Sequence, residues 1–219
     1  NHAMYARLAG ELERVNHDPD VRVVLLCGHP GAFCAGNDIA DFVNFESSAS
    51  GLGDVVRFLK VLVELDKPLV AAVDGLAVGI GTTVLLHCDL AYATSRSVFH
   101  TPFVDLGLVP EAGSSLLAPR TMGHTQAFAL LVLGNSLKVE EALRAGLLTA
   151  VADDAEEFAK KAATSLSLKP PEALRMARRL LRGDPTELQN RIEEEACAFE
   201  DRLRSTEART AFAAFLRRK

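Results

Sequence analysis

The segment Leu69-Val-Ala-Ala-Val73 carries no polar residue on either face, and it lies between Lys67-Pro68 and Asp74-Gly75. A strand with one wet face alternates polar and apolar residues, so a strand that does not alternate must be covered on both sides. Two more largely apolar runs, Val21 to Gly28 with Arg22 its one charged residue, and Asp89-Leu-Ala-Tyr-Ala93, stand before and after it. Before and between the runs the apolar residues fall at helical spacing: Met4, Leu8, Leu12 and Val15, then Val55, Phe58, Leu59, Leu62 and Val63, then Gly81 to His87. Alternating strand and helix predicts an α/β fold, with a mostly parallel sheet covered by helices.

Beyond Thr125 the pattern is helical almost to the end. Gln126 to Leu133 and Val139 to Ala145 read as helices, the second stopped by Gly146, and Leu147 to Val151 reads as a strand. Asp154 with Glu157, and Asp184 with Pro185 and Glu187, resemble capping boxes and mark helix starts. The expected organisation is a core over 1–152 and a helical region over 153–219. The polar stretch from Glu46 to Gly53 is expected to be a mobile connection.

At 219 residues the chain suits one domain with an appendage, and a formal charge of -5 gives no reason to expect nucleic acid as a partner. Arg175, Arg178, Arg179 and Arg182 make a local basic face, expected to be solvated. No apolar run approaches the roughly 20 residues that span a bilayer, so no membrane association is expected. Cys27, Cys34, Cys88 and Cys197 have neither zinc-site nor disulfide spacing, which favours a reducing, cytoplasmic setting. The opening residues run straight into a helical pattern, so the chain is expected to begin inside a longer protein, and Lys219 closes it without a peroxisomal Ser-Lys-Leu.

Two stretches could carry chemistry. Gly75-Leu-Ala-Val-Gly79-Ile-Gly81 turns from a strand into a helix, where unpaired N–H groups at a positive helix end can hold an oxyanion or phosphate; small residues in a tight turn explain the same glycines. Glu111 is the single carboxylate in the otherwise uncharged run from Leu106 to Leu117. Apolar neighbours there would raise its pKa toward that of a general base, whereas after Pro110 it could equally be a first-turn acid of a helix. His87-Cys88-Asp89 has the letters of a triad, but neighbours on a helix diverge, and a packed helix end is the better reading. His100 could line a pocket, and Cys34 reads as a small buried residue.

The residues Gly31-Ala-Phe-Cys-Ala-Gly-Asn-Asp-Ile39, Lys67 through Gly81, Cys88-Asp-Leu-Ala-Tyr-Ala93, Phe99-His-Thr-Pro-Phe103 with Gly107-Leu-Val-Pro110, and Glu141-Ala-Leu-Arg-Ala-Gly-Leu147 are ordered and spaced as in the crotonase, or enoyl-CoA hydratase/isomerase, superfamily. The chain resembles that family over nearly its whole length. The resemblance implies a spiral of strand-strand-helix turns with a C-terminal helical region for contacts in a trimer or dimer of trimers. It implies an acyl-CoA thioester as substrate, with coenzyme A part of the substrate and no cofactor or metal besides. Backbone N–H groups of Asn37 and Ile80 would polarise the thioester carbonyl, and Ala35, Asn37, Asp38, Ile39, Gly79, Ile80, Phe103 and Leu108 would line the substrate site. In the family a strand pair that helps bind the nucleotide precedes the first helix; this sequence opens at the helix.

Departures from the family pattern bear on the subclass. The two glutamates of family hydratases would fall on Thr83 and Phe103, neither an acid nor a base. Family isomerases of the peroxisomal type keep one glutamate in a Leu-x-Pro-Glu segment, which Leu108-Val-Pro-Glu111 matches. The resemblance therefore implies an isomerase that moves a double bond from the 3 to the 2 position, with Glu111 as base. A hydratase of unusual site and a non-catalytic acyl-CoA-binding protein of the same fold are the alternatives.

Overall fold

The computed structural model describes residues 1–43 and 51–217. Most of the expected polar connection, residues 46–50 of it, lies outside the described residues. The chain opens with helix α1 (His2–His17), followed by strands β1 (Val24–Cys27) and β2 (Ala32–Cys34), then α2 (Ile39–Val43) and α3 (Gly53–Glu64). A second turn lays down β3 (Leu69–Val73), β4 (Leu76–Val78) and α4 (Ile80–Thr83), which tightens into a 3-10 helix over Val84–His87. The third turn holds β5 (Leu90–Ala93), β6 (Val98–His100), a 3-10 turn at Val104–Leu106, α5 (Ser114–Met122) and α6 (His124–Leu131). Then come β7 (Leu137–Lys138), α7 (Val139–Arg144) and β8 (Ala150–Val151), and finally α8 (Ala155–Ser167), α9 (Pro171–Arg182), α10 (Thr186–Leu203) and α11 (Thr206–Leu216).

Successive strands alternate between two four-stranded sheets. The first has the order β1-β3-β5-β8, the second β2-β4-β6-β7. The first is parallel throughout, with Val24 opposite Leu69 and Val70 opposite Leu90; in the second, only β7 runs antiparallel to its neighbour. This is the spiral of strand-strand-helix turns with its C-terminal helical region. The unalternating Leu69–Val73 is β3, central in its sheet and buried at every position. One of its faces takes Val70 and Ala72 against Ala155 and Ala159 of α8; the other belongs to the main core with α1 and α3. Each large side chain buried there, such as Phe99, Leu62 or Phe212, stabilises by about 1.5–3 kcal/mol.

Several expectations shift on contact with the packing. In α1 the buried face is Tyr5, Ala9 and Leu12, with Met4 63% exposed, because α1 meets α3 through the edge of Tyr5 on Phe58 at 5.4 Å. The helical region does not stand apart: α8 covers the sheet, and Phe199 of α10 and Phe212 of α11 close on Phe42 of α2 at 5.6 and 5.8 Å. Phe199, Leu203 and Phe212 are therefore buried within the chain and need no partner to cover them.

The basic face of α9 is corrected in part: Arg175 and Arg179 are exposed as expected, but Arg178 and Arg182 are not. Arg178 is buried, its Nε donating to Asp89 Oδ2 at 2.8 Å and its Nη1 to the carbonyl of Leu65; Arg182 donates to the carbonyl of His87. Carbonyls at the ends of α3 and the 3-10 helix lack partners within their own helices, and these guanidinium groups supply donors. In consequence α9 turns apolar residues outward, with Met176, Leu180 and Leu181 exposed.

Candidate active site

Glu111 lies three residues before α5, not in its first turn. The loop Pro110-Glu111-Ala112-Gly113 turns through Ala112 at φ 62, the sole non-glycine with positive φ among the described residues, in a conformation that costs an L-residue of order 1–2 kcal/mol. The carbonyl of Ala112 accepts a hydrogen bond at 2.7 Å from Nε2 of His87. Burial pushes His87 down to about 4, so the ring is neutral at physiological pH and carries its proton on Nε2. The His87-Cys88-Asp89 sequence is thus a packed helix end. Cys88 is pushed up to about 12 by burial and has no thiolate character at neutral pH.

The Glu111 side chain is 7% exposed. Its Oε1 accepts the hydroxyl of Thr83 at 2.6 Å, and its Oε2 has no hydrogen-bond partner among the described residues. Burial raises its pKa to about 8, the Thr83 hydrogen bond opposing the rise and the charge of Glu195 adding to it. Glu195, on α10, is buried too, but both its oxygens are engaged: Oε2 accepts the N–H of Gly113 and Oε1 that of Ser115. Glu111 therefore holds a buried carboxylate oxygen that is free.

That carboxyl adjoins a cavity of about 20 Å³ lined by Asn37, Leu52, Val55, Leu59, Ile192 and Phe199 among others, room for about one water. Its apolar walls come from α3 and α10, far from Glu111 in sequence, rather than from Leu106, Leu108, Val109, Leu116 and Leu117. Periodicity marked α3 and α10 as helices but carried no sign of which loop they would enclose.

Asn37 is the other polar residue on that cavity. Its Oδ1 accepts the hydroxyl of Tyr5 at 2.6 Å, which ties α1 to the loop after β2. Burial and the nearby Glu111 hold Tyr5 well above the usual phenol range, so it remains a donor. Ile80 is buried and begins α4, where its N–H has no carbonyl four residues back within the helix. Neither Asn37 nor Ile80 donates its backbone N–H to another group among the described residues.

The loops that carry these two N–H groups touch. A Cβ on Gly36, at φ +86, would meet the carbonyl oxygen of Val78 at 3.0 Å, and a Cβ on Gly81 would lie 2.7 Å from Cβ and O of Cys34. The glycines of both turns are thus required by close backbone approach. Cys34 itself is half-buried.

Of the other residues expected at a substrate site, Ala35 and Asp38 are exposed, Ile39 and Gly79 half-buried, and Phe103 and Leu108 lie in the core. None of these six lines the Glu111 cavity, nor does Ile80. His100 contacts Ser136 at 3.2 Å, away from it. Tyr5 and Glu195 carry the surroundings of Asn37 and Glu111 without a motif to announce them, and the family pattern marked Thr83 only as a missing glutamate, not as the partner of Glu111. Among the described residues there is no cluster of side chains able to hold a metal ion, and no helix is long and apolar enough to cross a membrane.

A spiral of this topology with a buried, singly tethered glutamate beside apposed glycine turns defines a class. The chain belongs to the enoyl-CoA hydratase/isomerase family, whose profile matches residues 1–219. It is 33% identical to human enoyl-CoA delta isomerase 2, over 100% of this chain and 58% of that protein. It is 36% identical to the 1,2-epoxyphenylacetyl-CoA isomerase of Escherichia coli, over 85% of this chain and 74% of that one. Bacterial hydratases match as well. The chain spans a little over half the length of the human and rat enoyl-CoA delta isomerases 2. The solved structure of Pseudomonas aeruginosa OdaA superposes with a TM-score of 0.94 at 43% identity, over 99% of this chain and 89% of that one.

Proposed function

We propose that this protein shifts the double bond of a 3-enoyl-CoA to the 2 position. The observation that carries this reading is the free Oε2 of Glu111, a buried carboxylate oxygen on a cavity shared with Asn37. Oε2 takes a proton from carbon 2, and the electron pair of that bond moves toward the thioester oxygen to give a dienolate. Carbon 4 then takes the proton back from Glu111, which leaves the double bond between carbons 2 and 3. No external acid, base or oxidant enters the balance.

Charge developing on the thioester oxygen would be met by the N–H groups of Asn37 and Ile80. One such donor is worth roughly 3 kcal/mol of barrier, a hundredfold or more in rate. The matches to delta isomerases support the reading, and the bacterial hydratases among the relatives make hydration the second one. Against hydration, Thr83 and Phe103 are both buried and neither is a carboxylate.

Assembly as a trimer or dimer of trimers belongs to the same proposal. So does a cytoplasmic setting, in keeping with four unpaired cysteines. The test is Glu111→Gln, assayed with 3-enoyl-CoA and 2-enoyl-CoA substrates followed separately for isomerisation and hydration. Isomerisation should be lost while acyl-CoA binding stays nearly intact; near-normal turnover would rule out Glu111 as the base.

A further inference from the structure

We propose that Thr83 is a positioning residue for Glu111, its hydroxyl holding Oε1 so that Oε2 alone serves as the proton carrier. The kinetic consequences rest on the isomerase reading; the effect on the carboxyl itself does not.

A threonine inside a helix commonly turns its hydroxyl to the carbonyl four residues back. Thr83 has that option, but Gly79 O is 3.4 Å away whereas Glu111 Oε1 is 2.6 Å away. One hydroxyl donates one proton, and the shorter contact, to a group able to carry charge, takes it. The bond is fully enclosed, since Thr83 is 0% exposed and Glu111 7%. Loss of either partner cannot be made good by bulk water.

Thr83 is also placed to do this without adjustment. It lies three residues after Ile80 in α4, so both stand on one side of a single helical turn. The backbone donor at Ile80 and the side-chain anchor of Glu111 are thereby set by the same short piece of backbone, which is wedged in place by the contact of Gly81 with Cys34. With Oε1 held, rotation about the last bond of Glu111 is blocked and the remaining oxygen keeps one direction. A carboxyl free to turn would offer either oxygen at any angle.

Several titratable groups surround Glu111. Tyr5 lies nearby on α1, Glu195 packs from α10, and neutral His87 reaches its loop through the carbonyl of Ala112. The cavity residues from α3 and its N-cap are Leu52, Val55, Val56 and Leu59, none of which ionises. Among these neighbours, Thr83 is the group that favours the charged carboxylate.

The test compares Thr83→Val, which keeps shape and removes the hydroxyl, with Thr83→Ser, which keeps the hydroxyl. Carbon-13 NMR of glutamate-labelled protein, with Glu111→Gln to assign the signal, reads the carboxyl titration without substrate. In Thr83→Val the Glu111 midpoint should move up, kcat should fall about tenfold or more with little change in KM, and the rising limb of the pH-rate profile should move up with the midpoint. Thr83→Ser should bring all three back toward the parent.

An unmoved midpoint in Thr83→Val, or a Thr83→Ser protein no nearer the parent than Thr83→Val, would overturn the assignment. Should Thr83→Val not fold, Thr83→Ala removes the same hydroxyl and is read the same way. A moved midpoint in a protein that isomerises no 3-enoyl-CoA would keep the tether and remove the isomerase reading.

Discussion

Oε2 of Glu195 accepts the backbone N–H of Gly113 at 2.6 Å, a contact between residues 82 apart that ties α10 to the loop after Glu111. Gly113 precedes α5 and has no side chain to cap it, so the first N–H groups of that helix depend on this distant carboxylate.

Removing Glu195 should therefore act twice. Glu195→Ala leaves buried N–H groups of Gly113 and Ser115 without partners, at a cost of about 2–3 kcal/mol, read as a lower urea midpoint. Glu195→Gln keeps an acceptor but removes the charge. Since that charge helps to raise Glu111, the rising limb of kcat/KM against pH should move to lower pH in the glutamine protein. A limb that stays in place would mean that Glu195 acts by capping alone.

Glu111 also sets a pH dependence of stability. Its folded pKa of about 8 stands above the ordinary value of 4.5, so between those values the folded state binds more protons than the unfolded state. Stability then falls as pH rises from about 4.5 to about 8, with the full loss, on the order of a few kcal/mol, above that. His87 works on the acid side: with a folded pKa of about 4 against 6.5, its contribution is lost as pH falls from about 6.5 to about 4. Urea unfolding at pH 5, 7 and 9 should show the alkaline loss in the parent and little of it in Glu111→Gln. Equal slopes in both proteins would place the loss elsewhere.

The unalternating Leu69–Val73 was enough to foresee a covered parallel sheet, because burial on both faces leaves a mark on every residue of a strand. Helix phase was less legible. Met4, Leu8, Leu12 and Val15 located α1, yet the buried face is centred on Tyr5, since an aromatic with a polar tip does not declare which end of it is inside. Glu111 stood out because a lone carboxylate among apolar residues is anomalous. Glu195 and Tyr5 did not, for a glutamate on an acidic helix and a tyrosine in an amphipathic one are unremarkable until the fold brings them together, and Thr83 stood out only as a place where hydratases keep a glutamate, not as a partner of Glu111. Arg178 and Arg182 were read outward because charge usually is; the carbonyl ends they reach for exist only in three dimensions.

The outward apolar residues of α9 call for a partner. Met176, Leu180 and Leu181 are 55%, 82% and 89% exposed on a helix that draws Arg178 and Arg182 inward while Arg175 and Arg179 stay exposed, and burial against a second copy would stabilise a surface of this kind. Light scattering should give a mass near three or six times 23.6 kDa, and Leu180→Asp with Leu181→Asp should lower it. A monomer at micromolar concentration would refute the assembly.

Hydration of a 2-enoyl-CoA should be slow or absent. Adding water across a double bond needs one group to take a proton from the water and another to hold and orient it, and the site has one carboxylate oxygen free. Oε1 of Glu111 is held by Thr83, and both oxygens of Glu195 are held by backbone N–H groups. The adjoining cavity admits about one water, and apart from Glu111 and Asn37 its walls, among them Leu52, Val55, Leu59, Ile192 and Phe199, have no side-chain polar group to hold that water. A bound acyl chain would take the same space. On the proposed reading, excluding water would favour isomerisation, because the oxyanion contacts would strengthen and the dienolate would be shielded while Glu111 carried the proton between carbons. Crotonyl-CoA hydration should therefore run far below the isomerisation of a 3-enoyl-CoA by the same preparation. Comparable rates would mean that a second group activates water here, and that the isomerase reading of this site is wrong.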